Sequence, residues 1–178
     1  MMREQQSEAR ECLEKLGFQY AGELIGPDGQ VLEARSDHNL IPIVGFAHIA
    51  GTAFIGTTPL VSNWYLGLIV SNVVPDKTYK AANLPSIEGA SYSATTRPQW
   101  VGEWDGTSSI DNLDSYAQFA FPSTLTADVK VYGAFLVSES QKGSAAGTLL
   151  SIARFSSPYT VPAGSTFKLG VGITLATS

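Results

Sequence analysis

The sequence predicts a mainly β protein, an antiparallel β-sandwich or jelly-roll-like body, with a short N-terminal helix and one further helix near residues 39–55. Two observations carry most of that expectation. In residues 165–175, Phe167, Leu169, Val171, Ile173 and Leu175 alternate with small or polar residues. A period of two sends the apolar set to one side of an extended chain, which makes a half-buried strand. The second observation is repetition. Strand-forming runs at 64–70, 116–121, 130–138 and 148–155 are separated by Gly, Pro, Ser and Asn, the pattern of a sandwich or barrel-like roll. Val161-Pro162-Ala163-Gly164 supplies the turn into the last strand.

From the N-terminus, Ser7 is expected to cap a helix running to Leu16, with Ala9, Cys12, Leu13 and Leu16 at helical spacing, Glu11 four residues before Lys15, and Gly17 as the stop. So short a helix needs a partner surface to persist. Residues 18–25 and 30–35 are expected to pair as a hairpin, because Gly26-Pro27-Asp28-Gly29 between them consists of turn formers. Over 39–55, Leu40, Ile41, Val44, Ile49, Ala53 and Phe54 approximate one helical face, while Pro42, Gly45 and Gly51 work against it. Residues 71–91, with Pro75 and Pro85, read as a long irregular connection. The chain is expected to divide into residues 1–29, an N-terminal helix and hairpin start that could serve as an attachment arm, and residues 30–178, the sandwich. Within the latter, residues 131–137 place Tyr132, Ala134 and Leu136 on one side and Val131, Phe135 and Val137 on the other. Such a strand is central in the core or else covered by another chain, and the central position is expected.

A chain of 178 residues suffices for one domain with its own core, burying roughly 70% of the surface its unfolded form exposes. Cys12 is the single cysteine, so no intrachain disulfide forms and nothing points to an oxidising compartment. Eleven Lys and Arg against sixteen Asp and Glu give a net charge of −5, which repels phosphates and argues against direct nucleic acid binding. The most apolar window, 40–55, is broken by Pro42, His48, Gly51 and Thr52 and falls short of the ~20 apolar residues that cross a bilayer. No membrane partner is expected. Met1-Met2-Arg3-Glu4-Gln5-Gln6 lacks the apolar stretch of a secretory signal, so the protein is expected to stay in the cytoplasm until something assembles around it. Charged residues make up 15% of the chain, against ~25% in ordinary soluble domains, which favours an oligomer or a component of a larger assembly.

No catalytic motif can be defended from the sequence, and no metal or cofactor is expected. His38 and His48 stand outside any H-E-x-x-H or Cys/His cluster, so structural roles are expected for both. Asp105, Asp111, Asn112 and Asp114 crowd together, but their spacing departs from the D-x-[DN]-x-[DN]-G calcium loop, and a solvated turn is expected. Gly170-x-Gly172 precedes no helix, so it is expected to admit another backbone rather than hold a phosphate. Trp64 belongs to a core strand or a subunit interface. Trp100 and Trp104, four apart on one face of an extended segment introduced by Arg97-Pro98, remain open to a partner.

The order of several blocks adds to this reading. His38-Asn39-Leu40-Ile41-Pro42-Ile43-Val44-Gly45 is followed by Thr-rich residues, Trp64-Tyr65-Leu66-Gly67-Leu68, Ala94-Thr95-Thr96-Arg97-Pro98-Gln99-Trp100, Val131-Tyr132-Gly133-Ala134-Phe135-Leu136-Val137 and Leu149-Leu150-Ser151-Ile152-Ala153-Arg154-Phe155. Over about residues 30–178 this order resembles a family of small proteins encoded among the virion structural genes of tailed bacteriophages. The resemblance implies a non-enzymatic virion component, a capsid decoration (cement) protein on the outside of the head, synthesised in the host cytoplasm. Its implied partners are the major capsid protein, across subunit junctions, and further copies of itself as a trimer or dimer. The resemblance carries over no binding residues. From the residues themselves, the partner-binding candidates are Leu13, Leu16, Phe18 and Tyr20 near the arm, with Trp100 and Trp104. Two competing readings are a tail or fibre-associated adsorption module binding host glycan through Trp100 and Trp104, and a cell-envelope hydrolase. The hydrolase would need Glu103 and Asp105, two apart on a strand and so on one face, yet nothing in the sequence activates either carboxylate.

Overall fold

The computed structural model describes residues 17–174. Its first element, β1 (Phe18–Ile25), pairs antiparallel with β2 (Val31–His38) around the expected turn. Gly29 takes φ 84°, which glycine enters without steric cost, and its N–H donates to the Gly26 carbonyl at 2.9 Å. Period-two alternation turns Phe18, Tyr20, Gly22 and Leu24 inward along β1. On its other side β1 bonds β11 (Thr166–Thr174) along its whole length, from Phe18 opposite Ile173 to Ile25 opposite Thr166. β6 (Glu103–Trp104), β7 (Ser109–Asp111) and β8 (Ala117–Ala120) complete a six-stranded sheet, which curls into a half barrel. β1 and the turn that follows it are thus part of this first sheet. The helix expected over 7–16, with Leu13 and Leu16, lies outside the described residues.

The facing sheet has five strands: β10 (Leu149–Val161), β9 (Val129–Val137), β3 (Trp64–Ile69) and β4 (Glu88–Gly89) in that order, with β5 (Gln99–Trp100) also against β3. β9 is the strand with apolar residues on both sides, and both sides are covered by its own chain. Ala134 and Leu136 face Phe18, Tyr20, Phe119 and Phe167 of the first sheet. Phe135 and Val137 look outward, under Ala81 and Leu84 of a short 3-10 helix (Ala81–Ser86) and beside Leu40 and Val44. That 3-10 helix sits in the stretch expected to be irregular.

The helix expected near 39–55 is present as α1 (Ile43–Ala50) and one turn of π-helix (Gly51–Ile55). Pro42 stands just before α1, where no intrahelical N–H is lost. The two glycines that argue against a helix in the sequence are what let it pack. A Cβ at Gly45 would overlap the Leu150 carbonyl oxygen of β10, and one at Gly51 would overlap the Thr58 hydroxyl. Gly56, at φ 68°, ends the π turn in the left-handed conformation.

Three tyrosines in this core set an alkaline limit. Burial pushes the Tyr159 phenol up from 10.0 to about 12, although the Arg35 guanidinium over its ring opposes the shift. Burial raises Tyr20 and Tyr92 further. A folded state that holds these protons more tightly than the unfolded chain keeps its full advantage below pH 10. The advantage is lost as pH rises through the folded values, for Tyr159 between about 10 and 12. Melting temperature is expected to fall steeply over that interval, and less steeply in Tyr159→Phe; identical slopes would contradict it.

Candidate interaction surface

Where β1 begins and β11 ends, cross-strand pairs line up in two rows across the six-stranded sheet. One runs Phe18, Ile173, Ile110, Trp104; the next runs His38, Gln19, Gly172, Asp111, Glu103. Directly opposed residues project from the same face, so the first row is apolar and the second polar. The apolar row starts at buried Phe18, passes half-buried Ile173 and Ile110, and leaves the sandwich at Trp104, which is 53% exposed. Val101 and Leu113 on the flanking connections are exposed as well.

Carboxylates rim this end. Asp111 and Glu103 stand directly opposite each other, an unfavourable pairing of like charges. Asp105 lies just past β6, where its Oδ1 accepts the N–H groups of Thr107, Ser108 and Ser109 at 2.7, 2.8 and 3.0 Å. These donors, Ser109 foremost, hold its carboxyl well below the usual carboxylate range. Asp105 is thus the cap of a tight turn. The shared strand face expected for Glu103 and Asp105 is not formed, because β6 ends at Trp104. Asp111, Asn112 and Asp114 join them around a shallow depression of about 100 Å³. Among the described residues no group of three or more His, Cys, Asp or Glu is placed to hold a metal ion.

Phe18 and Tyr20 are 2% and 0% exposed, and the Tyr20 hydroxyl is bonded to that of Ser151, so their rings build the core and present no partner surface. Trp100 and Trp104 do not share one face, because the chain crosses between sheets at Val101-Gly102. Trp100 pairs with Trp64 in the five-stranded sheet, while Trp104 pairs with Ile110 in the other. The Trp100 indole N–H donates to the Val171 carbonyl at 2.9 Å, and its ring lies over Gly102, where a Cβ would overlap it. Trp64 is half-buried, with His48 edge-on at 5.3 Å between centroids; His38 ends β2 in the open. Gly170 admits the Leu113 and Tyr116 side chains and not another backbone.

Sequence reasoning missed Arg97 as an anchor. Its guanidinium is bidentate to Glu88, with Nε donating to Oε1 at 2.8 Å and Nη2 to Oε2 at 2.7 Å. It also donates to the carbonyls of Glu139 at 2.7 Å and Ser144 at 3.2 Å, while Glu88 accepts the Gly143 N–H at 2.7 Å. Both side chains are essentially buried. This network ties β4 and the approach to β5 to residues 138–148, the connection between β9 and β10. Arg97-Pro98 in the sequence announces an extended backbone, but an Arg and a Glu nine apart on separate segments leave no periodic trace.

No protein-family model matches this sequence, and neither curated proteins nor solved structures give a significant match.

Proposed function

We propose that this chain is a non-enzymatic virion structural protein, a capsid decoration (cement) protein that binds the major capsid protein on the outside of a phage head, across subunit junctions. The observation that carries the proposal is Trp104, the exposed end of an apolar row that starts in the core at Phe18, set among Glu103, Asp105, Asp111 and Asp114. An aromatic anchor within a polar rim is the anatomy of a protein-binding hot spot. Its complement is a basic surface with an apolar pocket, and cations from a partner would relieve the opposed Glu103 and Asp111. Capsid symmetry then multiplies contacts of ~800 Å² or less per copy, so each can be weak. A net charge of −5 suits the outer surface better than the side facing packaged nucleic acid. The block order over residues 30–178 supports the same reading. The alternative, an adsorption module stacking host glycan on two tryptophans, is weakened because Trp100 is bonded to the interior and leaves Trp104 alone.

Trp104→Ala is expected to keep the fold and to lower occupancy on purified particles by about 10-fold or more, the loss of a hot-spot residue costing ~2 kcal/mol. Particle imaging that finds hundreds of copies over the head supports decoration. A few copies at one vertex would place the chain in the tail and overturn it.

A further inference from the structure

Between Asp37 and Asp76 the chain carries no Asp, Glu, Lys or Arg, and this uncharged stretch builds a ridge beside a groove. The ridge is formed by Phe54 and Leu60, 84% and 83% exposed, with Ile55, Ile43 and Phe46 also exposed. It is held in shape by its backbone. Gly51 accepts the Thr57 and Thr58 N–H groups at 2.9 and 3.3 Å, and Gly45 seats α1 directly on β10. The groove, about 450 Å³, runs along another flank of α1. Val44 and Ala47 form one wall, Ala81 and Ala82 the opposite one, and Ala145 and Leu149 close it from the β9–β10 side. Four of these six are alanines, so the space exists because the lining side chains are short.

We infer that copies of this chain associate head to tail, with Phe54 and Ile55 of one copy seated in the groove of the next. Charge selects a second copy as the occupant. Two chains of net charge −5 repel wherever their acidic surfaces meet, and they approach without that penalty where neither side carries a carboxylate: the ridge has no charged residue, and the one charged residue lining the groove is Lys80, a cation. A basic partner, by contrast, gains nothing from a ridge without carboxylates and is drawn to the Trp104 end. Size agrees, since cavities from ~300 Å³ upward enclose groups larger than a single side chain. The π turn already fixes the backbone of Phe54 and Ile55, so docking orders only their side chains. Because ridge and groove are different surfaces, the contact is heterologous and each copy offers both halves. The inference does not depend on the capsid reading.

Light scattering on size-exclusion fractions of the full chain tests it without any particle. Wild type is expected to run above the monomer mass, as a ring of fixed size if the head-to-tail rotation closes or as a concentration-dependent series if it does not. Added salt should strengthen the association, because it screens repulsion and leaves apolar contact intact. Phe54→Asp, at an exposed site, and Ala82→Trp, which fills the groove, should each fall to monomer with unchanged melting temperature. Mixed, they should form a 1:1 heterodimer and stop there, since one variant keeps its groove and the other its ridge. A monomeric wild type, a homodimer of either variant, or a mixture that stays monomeric would overturn the inference. If wild type is monomeric and Phe54→Asp loses particle binding, the ridge docks on the capsid; self-association then fails while the decoration reading stands.

Discussion

Arg97→Met is expected to destabilise the fold by about 3–5 kcal/mol, the cost of leaving one member of a buried ion pair without its counter-charge. For a domain of this size that is a fall in melting temperature of roughly 10 °C or more. Arg97 is 1% exposed, and what remains after its removal is a buried Glu88 carboxylate facing a thioether, together with two carbonyls that lose their donor. Replacing both partners by apolar residues, Glu88→Leu with Arg97→Met, removes the unpaired charge and should recover part of the loss. Full recovery is not expected, because Gly143 N–H and the Glu139 and Ser144 carbonyls lose their partners in either case. The expected order of stability is wild type, then the double variant, then either single variant, read from urea midpoints. A double variant less stable than both single ones would show that the two side chains act separately. Residues 138–148 should also lose hydrogen-exchange protection in Arg97→Met. Ala145 and Leu149 wall the groove, so self-association should weaken with it.

The parts of this fold legible in the sequence are those set by local periodicity. Alternation in β11 puts Phe167, Leu169 and Val171 in the core, and Gly26-Pro27-Asp28-Gly29 closes the first hairpin as its turn residues require. The same rule applied to β1 points Phe18 and Tyr20 inward with Leu24. Assigning them to an attachment arm overlooks a period of two in favour of their nearness to the N-terminus. Where tertiary contacts override local signals, the sequence is mute or misleading. Ser156-Ser157-Pro158 reads as the end of a strand at Phe155, yet β10 continues to Val161 through a bulge. The bulge persists because side chains of β2 satisfy its backbone: Asp37 accepts the Ser156 N–H at 2.8 Å, and Arg35 donates to the Ser157 carbonyl at 2.6 Å. Gly102 is likewise silent in sequence, though it is the point at which Trp100 and Trp104 part to different sheets. The ridge had a readable signal in the uncharged run from His38 to Pro75, but only the three-dimensional packing separates its exposed Phe54 from buried Ile41.

Phe135→Ala is expected to cost about 3–5 kcal/mol, and Gly67→Ala, which adds a single carbon, about 1–3 kcal/mol. Both follow from one contact. Phe135 of β9 lies directly opposite Gly67 of β3, and its ring covers the glycine so closely that a Cβ there would overlap Cζ. The ring also fills the layer between the five-stranded sheet and the 3-10 helix, with Leu84, Ile87 and Ile152 around it, and the Arg97 guanidinium stands 5.3 Å from its centroid. Truncation therefore opens a cavity beneath the helical cover, and the neighbouring backbone, tied by Arg97, is poorly placed to collapse into it. Because the two substitutions compete for the same space, their effects should not add. In the Phe135→Ala background the methyl group at position 67 occupies part of the vacated volume, so Gly67→Ala should change sign from destabilising to neutral or stabilising. Urea unfolding of wild type, both single variants and the double variant measures the coupling. Additive costs would mean that the ring does not occupy the space above Gly67, and that the small residue in β3 serves backbone pairing alone.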